Sequence, residues 1–458
     1  MNDITGADIL NRLSSSSEAQ FLNVNVITSI DISLAQSRMI TIDFTGSTFQ
    51  HPFSLFAPGG ILKLIFDGCI FHSNIRIENT SGSSDISFLR ATINSGLEVS
   101  SYGKTVFTFD NASWKGKIIL EKLDIVGSFQ NMNLIESNQF NKFSLTRSKF
   151  SQNISFAKSE LQNVDFQNCE FQKDFIFLYA KLLNTNSGFD NFKNVSFNGQ
   201  SFFNNTLFEN QVSFNQSIFE DSVSFTDSKL NKNCHVDFSG VCFKKRVFFD
   251  YSLFKSMVFN NSEFKDMASF QYLKVEQLII SRVAFFNGAN FLNATIAKSD
   301  RETFQVIKHE FEKLNNKVEV LNYQAREMIA YERELNIKSK RWDFVLLKLN
   351  RISNKHGLSW SRGVLFTLSC GIIFFAAYIF SLNSLPFKWG WQNFNSFYSA
   401  SGIIIKYFIR FLIITHDLDF MQNYQPTALS FLIDFLGKVF IGYGIYQTIQ
   451  AFRKYGKG

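Results

Sequence analysis

Four charged side chains sit where charge is expensive. Lys406 and Arg410 stand four apart in Gly402–Thr415, a stretch otherwise apolar, and Asp434 and Lys438 stand four apart in Ala428–Tyr446. On a helix, a spacing of four puts both members of a pair on one face. Ionisable groups inside a bilayer are costly and mark ion paths, ligand sites or paired networks. Asp434 and Lys438 can pair or line an aqueous lumen. Lys406 and Arg410, repeated around the axis of a symmetric oligomer, would form positive rings that attract anions or hold an anionic plug. The alternative is that their long stems let them snorkel to headgroups.

Other chemistry has little support. The chain has no GxxxxGK[ST], GxSxG or HExxH. Its histidines (His51, His72, His235, His309, His356 and His416) are scattered, Cys234-His235 lacks further ligands at useful spacing, and His309-Glu310 has Lys313 where a zinc helix needs its second His. Cys69, Cys169, Cys234, Cys242 and Cys370 show no CxxC spacing, so they are expected to be free and buried in a reducing compartment. Ile441-Gly442-Tyr443-Gly444 looks like a potassium-filter core, but only 14 residues follow it. Its glycines better suit close helix packing or a bend. No catalytic residue, metal ligand or cofactor is expected, and an enzyme is not.

Charge locates the elements around these residues. Residues 1–300 hold 26 Lys and Arg against 28 Asp and Glu, net −2, whereas residues 301–458 hold 20 against 11, net +9. The overall +7 therefore belongs to the last third, which points to anionic lipid or nucleic acid as its partner. Residues 364–382 carry no charge and are long enough for a transmembrane span. Lys338, Lys340, Arg341, Lys348, Arg351, Lys355 and Arg362 precede it against Asp343 alone, which marks that side as cytoplasmic. A second span is expected over 428–446, with Arg453, Lys454 and Lys457 returning to the cytoplasm. Between the spans, 402–415 is short and reads as a re-entrant or amphipathic helix. Extending it back to Phe397 would make a third span and send the basic tail outside. The N-terminus, with Asp3 and Asp8 and no apolar run, is not a signal peptide.

The first two thirds are a repeat. Of the 458 residues 56 are Phe and only 4 Pro, and the Phe are periodic. Phe156, Leu161, Phe166 and Phe171 step by five, as do Phe249, Phe254, Phe259 and Phe264. Phe214, Phe219, Phe225 and Leu230 mix five and six. Earlier pairs are Phe44/Phe49, Phe66/Phe71 and Phe109/Trp114. Small or β-branched residues such as Val212, Ser217, Val223, Ser228, Val247 and Ser252 lie two before the large ones. So much periodic apolar surface excludes disorder. A step of five fits neither a helix face nor strict strand alternation, but it fits a coil whose sides are each a short strand and a turn. Four sides close a turn of roughly 20–22 residues. Asn, Ser, Asp and Gly suit the corners, and scarce Pro leaves each strand free to donate above and below.

This pattern resembles the pentapeptide-repeat family, whose motif is a small residue, any residue, Leu or Phe, then two polar residues. The resemblance covers Ile42 to Ala297 and is clearest from Phe143 to Phe270. It implies a right-handed quadrilateral β-helix, mainly β, followed by an α-helical connector and an α-helical transmembrane domain. Phe in place of Leu, and steps of six, make the coils less regular, particularly before Phe143. Residues 1–40 are expected to form an N-terminal cap with a short helix from Asp8 to Leu13, residues 41–298 the β-helix, 299–362 the connector and 363–458 the transmembrane domain. In the connector, Phe304, Ile307, Phe311 and Leu314 share a helix face, and Val318, Leu321, Ala325, Met328 and Tyr331 mark a second helix beyond Asn315-Asn316. Together they are expected to cap the coil. Arg301-Glu302-Thr303-Phe304 with Ile307-Lys308-His309-Glu310 resembles the connector of membrane-anchored pentapeptide-repeat proteins.

The layout resembles toxic membrane effectors of bacterial anti-phage systems, including the channel subunit of the Hailong system. That resemblance implies a channel gated through a cytoplasmic β-helix. It places the protein in the inner (cytoplasmic) membrane as a multi-pass homo-oligomer, with a tetramer expected. Its gating ligand would be anionic, single-stranded DNA or another nucleic acid. The competing reading is a membrane-anchored β-helix scaffold that binds a partner protein and forms no pore.

Overall fold

The computed structural model describes all residues except 1, 35–38, 81, 102, 122–123, 131, 135–140, 184–188, 210, 231–234, 336–339, 384–393, 418–419, 422–425 and 454–458. Cys234, Lys338, Lys454 and Lys457 lie outside the described residues. Two compact units divide at Ser299.

The first unit is a parallel β-solenoid of about 12 turns. A sheet of 13 strands runs along one side, from Glu18–Gln20 to Ala284–Phe285. From Lys149 to Phe243 each turn has four strands, and beyond it Leu253–Asn260 and Lys274–Ser281 each replace two short strands with one long one. Glu170–Phe171, Phe175–Ile176, Lys181–Leu183 and Phe189–Lys193 complete a turn before Ser196–Phe197 pairs with Glu170–Phe171. The earlier half differs. Phe53–Ala57, Ile61–Ile65 and Ile70–Phe71 complete a turn of three strands, after which Ile75–Asn79 pairs with Phe53–Ala57. The reason is local. Phe53, Leu55 and Ala57 point inward on every second residue, as do Leu62 and Leu64, and this alternation sustains a five-residue strand. A pair such as Phe66/Phe71 then marks a single corner rather than a whole repeat.

The Phe side chains form ladders up the inside. Phe197, Phe219, Phe243, Phe264 and Phe285 stack with centroids 4.6, 5.2, 4.8 and 4.7 Å apart. Phe203, Phe225, Phe249, Phe270 and Phe291 form a second column at 4.8, 5.1, 5.1 and 4.6 Å. These separations match the spacing of hydrogen-bonded strands, so rings in equivalent positions must stack. Neighbouring columns meet edge to face, as Phe214 does Phe203 at 5.4 Å.

Corners solve a backbone problem. Asn168, Asn205, Asp227 and Asn261 have positive φ, which Asn and Asp tolerate, and Tyr179, Tyr251 and Tyr272 adopt it as well. After several of these corners a small hydroxyl residue donates inward: Ser228 Oγ to the Phe203 carbonyl at 2.7 Å, Ser252 to Phe225 at 2.6 Å and Ser262 to Phe238 at 2.7 Å. Cys69 and Cys169 occupy the same niche, their thiols facing the Phe44 and Leu145 carbonyls at 2.9 and 3.2 Å. Burial pushes both thiols up to about 12.

Near the start lies helix α1 (Gly6–Ser15). Thr5 accepts from the Asp8 amide while the Asp8 carboxylate accepts from the Thr5 amide, which satisfies two orphan donors. Ile9 and Leu13, one turn apart, are buried.

The second unit comprises α2 (Arg301–Lys313), α3 (Lys317–Glu334), α4 (Arg341–Asn354), α5 (Trp360–Phe380), α6 (Phe394–Leu412) and α7 (Ala428–Phe452). Helices α2 and α3 form an antiparallel hairpin. Asn315 turns the chain with φ +54° and Asn316 caps α3. Phe304, Ile307 and Phe311 pack there, with Phe311 5.4 Å from the Tyr323 ring. Buried Glu327 receives Lys308 at 2.8 Å and lies 3.8 Å from Arg301. Among the described residues, α5 and α7 are long and apolar enough to cross a membrane. Both leave large apolar side chains uncovered, including Leu365, Ile372, Ile373 and Phe380 on α5 and Leu432, Phe435 and Val439 on α7. In a water-soluble bundle such surface would be a liability.

Candidate functional site

The charged residues within the apolar helices fall into two groups. Helix α6 packs Ile404, Tyr407, Phe408 and Phe411 against Phe375, Tyr378 and Ile441 of α5 and α7. Its opposite face carries exposed Ile405 and Ile409 together with Lys406 and Arg410, both exposed, and Ile413 just beyond its end is exposed too. The spacing of four thus brings Lys406 and Arg410 onto one open, apolar face. Arg410 turns toward the loop after its helix, donating Nη1 to the Phe420 carbonyl at 3.4 Å. Lys406 lies 6.0 Å from the Tyr407 ring and has no acidic partner among the described residues.

Asp434 and Lys438 form a different site. Asp434 is fully buried, and Lys438 Nζ lies 3.1 Å from its Oδ2. A third residue completes the cluster. The turn after α6 brings back His416, whose Nε2 is 2.7 Å from Asp434 Oδ1 and whose side chain is 5% exposed. Lys438 Nζ also donates to the His416 carbonyl at 2.9 Å. On the other side of the ring, His416 Nδ1 lies 2.6 Å from the Ile413 carbonyl. A carbonyl only accepts, so Nδ1 carries a proton. The Nε2–Oδ1 contact links imidazole to carboxylate. The three side chains form a locked polar knot beside the α6–α7 turn.

Sequence reasoning singled out Lys406, Arg410, Asp434 and Lys438 but passed over His416. The available signal was its place: a lone imidazole in the polar turn between two apolar stretches, 18 residues before the one carboxylate of the second stretch. Phe411 and Phe420 enclose the ring, with centroids 5.7 and 4.7 Å away.

Polar contacts also bind α4 to the C-terminal end of α7. Asn354 Nδ2 donates to the Gln447 carbonyl at 3.1 Å, and Gln447 Nε2 donates to Asn350 Oδ1 at 2.9 Å. At the far end, Ser381 Oγ donates to Ser430 Oγ at 2.8 Å and Thr427 Oγ1 to the Ser381 carbonyl at 3.0 Å. Helix α7 is therefore tied to α4 at one end and to the end of α5 at the other.

Among the described residues, no group of three or more His, Cys, Asp or Glu could hold a metal ion. No family model, curated protein or solved structure matches the chain. Fold and site together define a parallel β-solenoid followed by helices, two of them apolar enough to span a membrane, with a His416–Asp434–Lys438 cluster where the turn after α6 meets α7. The likeness to pentapeptide-repeat proteins rests on the residue pattern alone.

Proposed function

We propose that this protein is an oligomeric membrane channel whose opening is controlled through its solenoid. The observation that carries the reading is the outer face of α6, where Lys406 and Arg410 lie exposed among Ile405 and Ile409. Lipid is a poor environment for that face, whereas a water-filled axis shared by several copies suits it. The permeant or plugging species is accordingly an anion, and a nucleic-acid plug fits the net +9 of residues 301–458. By the positive-inside tendency the solenoid is cytoplasmic and the membrane the inner one. A role in anti-phage defence follows from the layout's resemblance to such effectors. No catalytic step belongs to this reading.

Induced expression in bacteria with a potential-sensitive dye tests it. Wild type should depolarise the membrane, and Lys406→Ala with Arg410→Ala should abolish the effect at equal protein level. Equal leakage from both would sink the proposal. Mass determination in detergent, with and without nuclease, should give a closed ring, a tetramer by preference, and show whether nucleic acid accompanies it.

One observation favours the scaffold reading. Tyr251 and Tyr272 project outward from solenoid corners, 60% and 44% exposed and stacked at 4.8 Å, a platform suited to a partner protein. A monomer in detergent would select that reading.

A further inference from the structure

Within the helical unit a cavity of about 880 Å³ opens where α4 turns into α5, with Ile329 of α3 on one side. Its lining mixes charge and apolar surface. Arg351, Lys355 and Arg362 stand with Ile352 and Leu358 around the start of α5, while Leu365, Phe366 and Ser369 follow along the helix. Arg362 to Ser369 is seven residues, about 10 Å of helix. Charge at the mouth is uncompensated. Arg351 meets Glu332 at 3.3 Å, but Lys355 and Arg362 have no acidic partner among the described residues. The turn is unusual as well: Lys355 and His356 both adopt positive φ, +53° and +56°, before Gly357 at +89°. His356 Nε2 is buried in this wall with no hydrogen-bond partner among the described residues. Burial holds its imidazole below the ordinary range, so the ring is neutral near pH 7 and can serve as a hydrogen-bonding group.

We propose that this cavity is a binding site for an anionic phospholipid, its phosphate held by Lys355, Arg362 and His356 and its acyl chain lying along Leu365 and Phe366. The cations are the complement of a phosphodiester, and arginine suits it through paired donors. The apolar lining along α5 is the complement of a hydrocarbon chain, and it runs on past the last cation, Arg362. A soluble phosphate compound would use the mouth and leave that apolar lining empty. The inference rests on α5 crossing the bilayer, as in the reading above, and not on a pore.

The test uses the full chain in nanodiscs of equal parts phosphatidylcholine and phosphatidylglycerol, extracted into detergent and weighed intact to count retained lipids. Wild type should keep phosphatidylglycerol in preference to phosphatidylcholine. Lys355→Gln with Arg362→Gln should weaken retention roughly thirtyfold, from the surface value of each basic residue. Ser369→Trp, which fills the inner end and leaves the cations in place, should lower retention too. Equal retention of the two lipids, or unchanged retention in both variants, overturns the site. So does inorganic phosphate that raises the thermal midpoint as much as lipid does. Failure to enter nanodiscs would instead refute the membrane span itself, which separates the two readings.

Discussion

Gly444 on α7 lies directly against Thr367 on α5: a Cβ added there would sit 2.4 Å from the Thr367 hydroxyl oxygen. The relation is reciprocal, since a Cβ on Gly363 would lie 2.5 Å from the Thr448 hydroxyl oxygen. Each Thr hydroxyl in turn donates to the glycine carbonyl four residues earlier in its own helix, Thr367 to Gly363 at 2.8 Å and Thr448 to Gly444 at 2.9 Å. Two small-residue faces thus meet antiparallel, the arrangement that lets apolar helices approach closely where lipid removes the hydrophobic drive.

Gly444→Leu should therefore split the α5–α7 pair. We expect a loss of about 1–3 kcal/mol, read as a lower unfolding midpoint in detergent. Gly442→Ala is the control, because its Cβ would meet only Ile414 at 3.6 Å. Equal midpoints for wild type and Gly444→Leu would refute the packing.

Asp434 is the keystone of its cluster. Asp434→Ala leaves Lys438 and His416 facing each other without a carboxylate, and should cost about 3–5 kcal/mol by the behaviour of broken buried pairs. Asp434→Leu with Lys438→Met removes both members and should cost clearly less. The two variants compared by chemical unfolding decide it. If the double change is as harmful as the single one, the pairing is not what matters.

Inside the solenoid, Phe225 is 1% exposed and stacks between Phe203 and Phe249. Phe225→Ala should cost about 3–5 kcal/mol, since rigid neighbouring coils cannot collapse into the gap. Phe286, 60% exposed, should tolerate the same change within about 0.5 kcal/mol. Denaturant midpoints of the two variants give the contrast, and comparable losses would contradict the ladder.

Cys69 and Cys169 should resist alkylation. With thiols pushed to about 12 and both side chains buried, the reactive thiolate is scarce at pH 8. Iodoacetamide followed by peptide mass mapping should label half-buried Cys242 in the native protein. Cys69 and Cys169 should be modified only after denaturation. Native labelling of either would mean that the coil opens there.

The coil could be read from sequence because its interior repeats one problem. A Phe such as Phe219 recurs wherever a side needs filling, and the corner residues recur with it. What the spacing concealed was the number of strands per turn. Phe44/Phe49 and Phe66/Phe71 carry the same step of five as Phe249/Phe254, yet between them Leu55, Ala57, Leu62 and Leu64 alternate and merge short sides into long strands. In the helical unit, hydropathy exposed α5 and α7, and the spacing of four exposed both charge pairs. His416 was invisible because its partner is distant in sequence and the loop that delivers it has no pattern. The Gly–Thr seam was half visible: Gly444 stood out, but its partner Thr367 is an ordinary residue until the helices are laid together.

The fixed register from coil to coil, Phe197 over Phe219 and Phe219 over Phe243, makes length a quantised property. Excising residues 219–242 would join Ile218 to Phe243 and hand every later ring to the column it already occupies, shortening the rod by one strand spacing of about 4.8 Å. A cut of half that size would turn every downstream face toward the wrong neighbour. The rod can therefore lengthen or shorten only by whole coils, while a coil's own residue count varies, as from Phe171 to Phe197 and from Phe243 to Phe264.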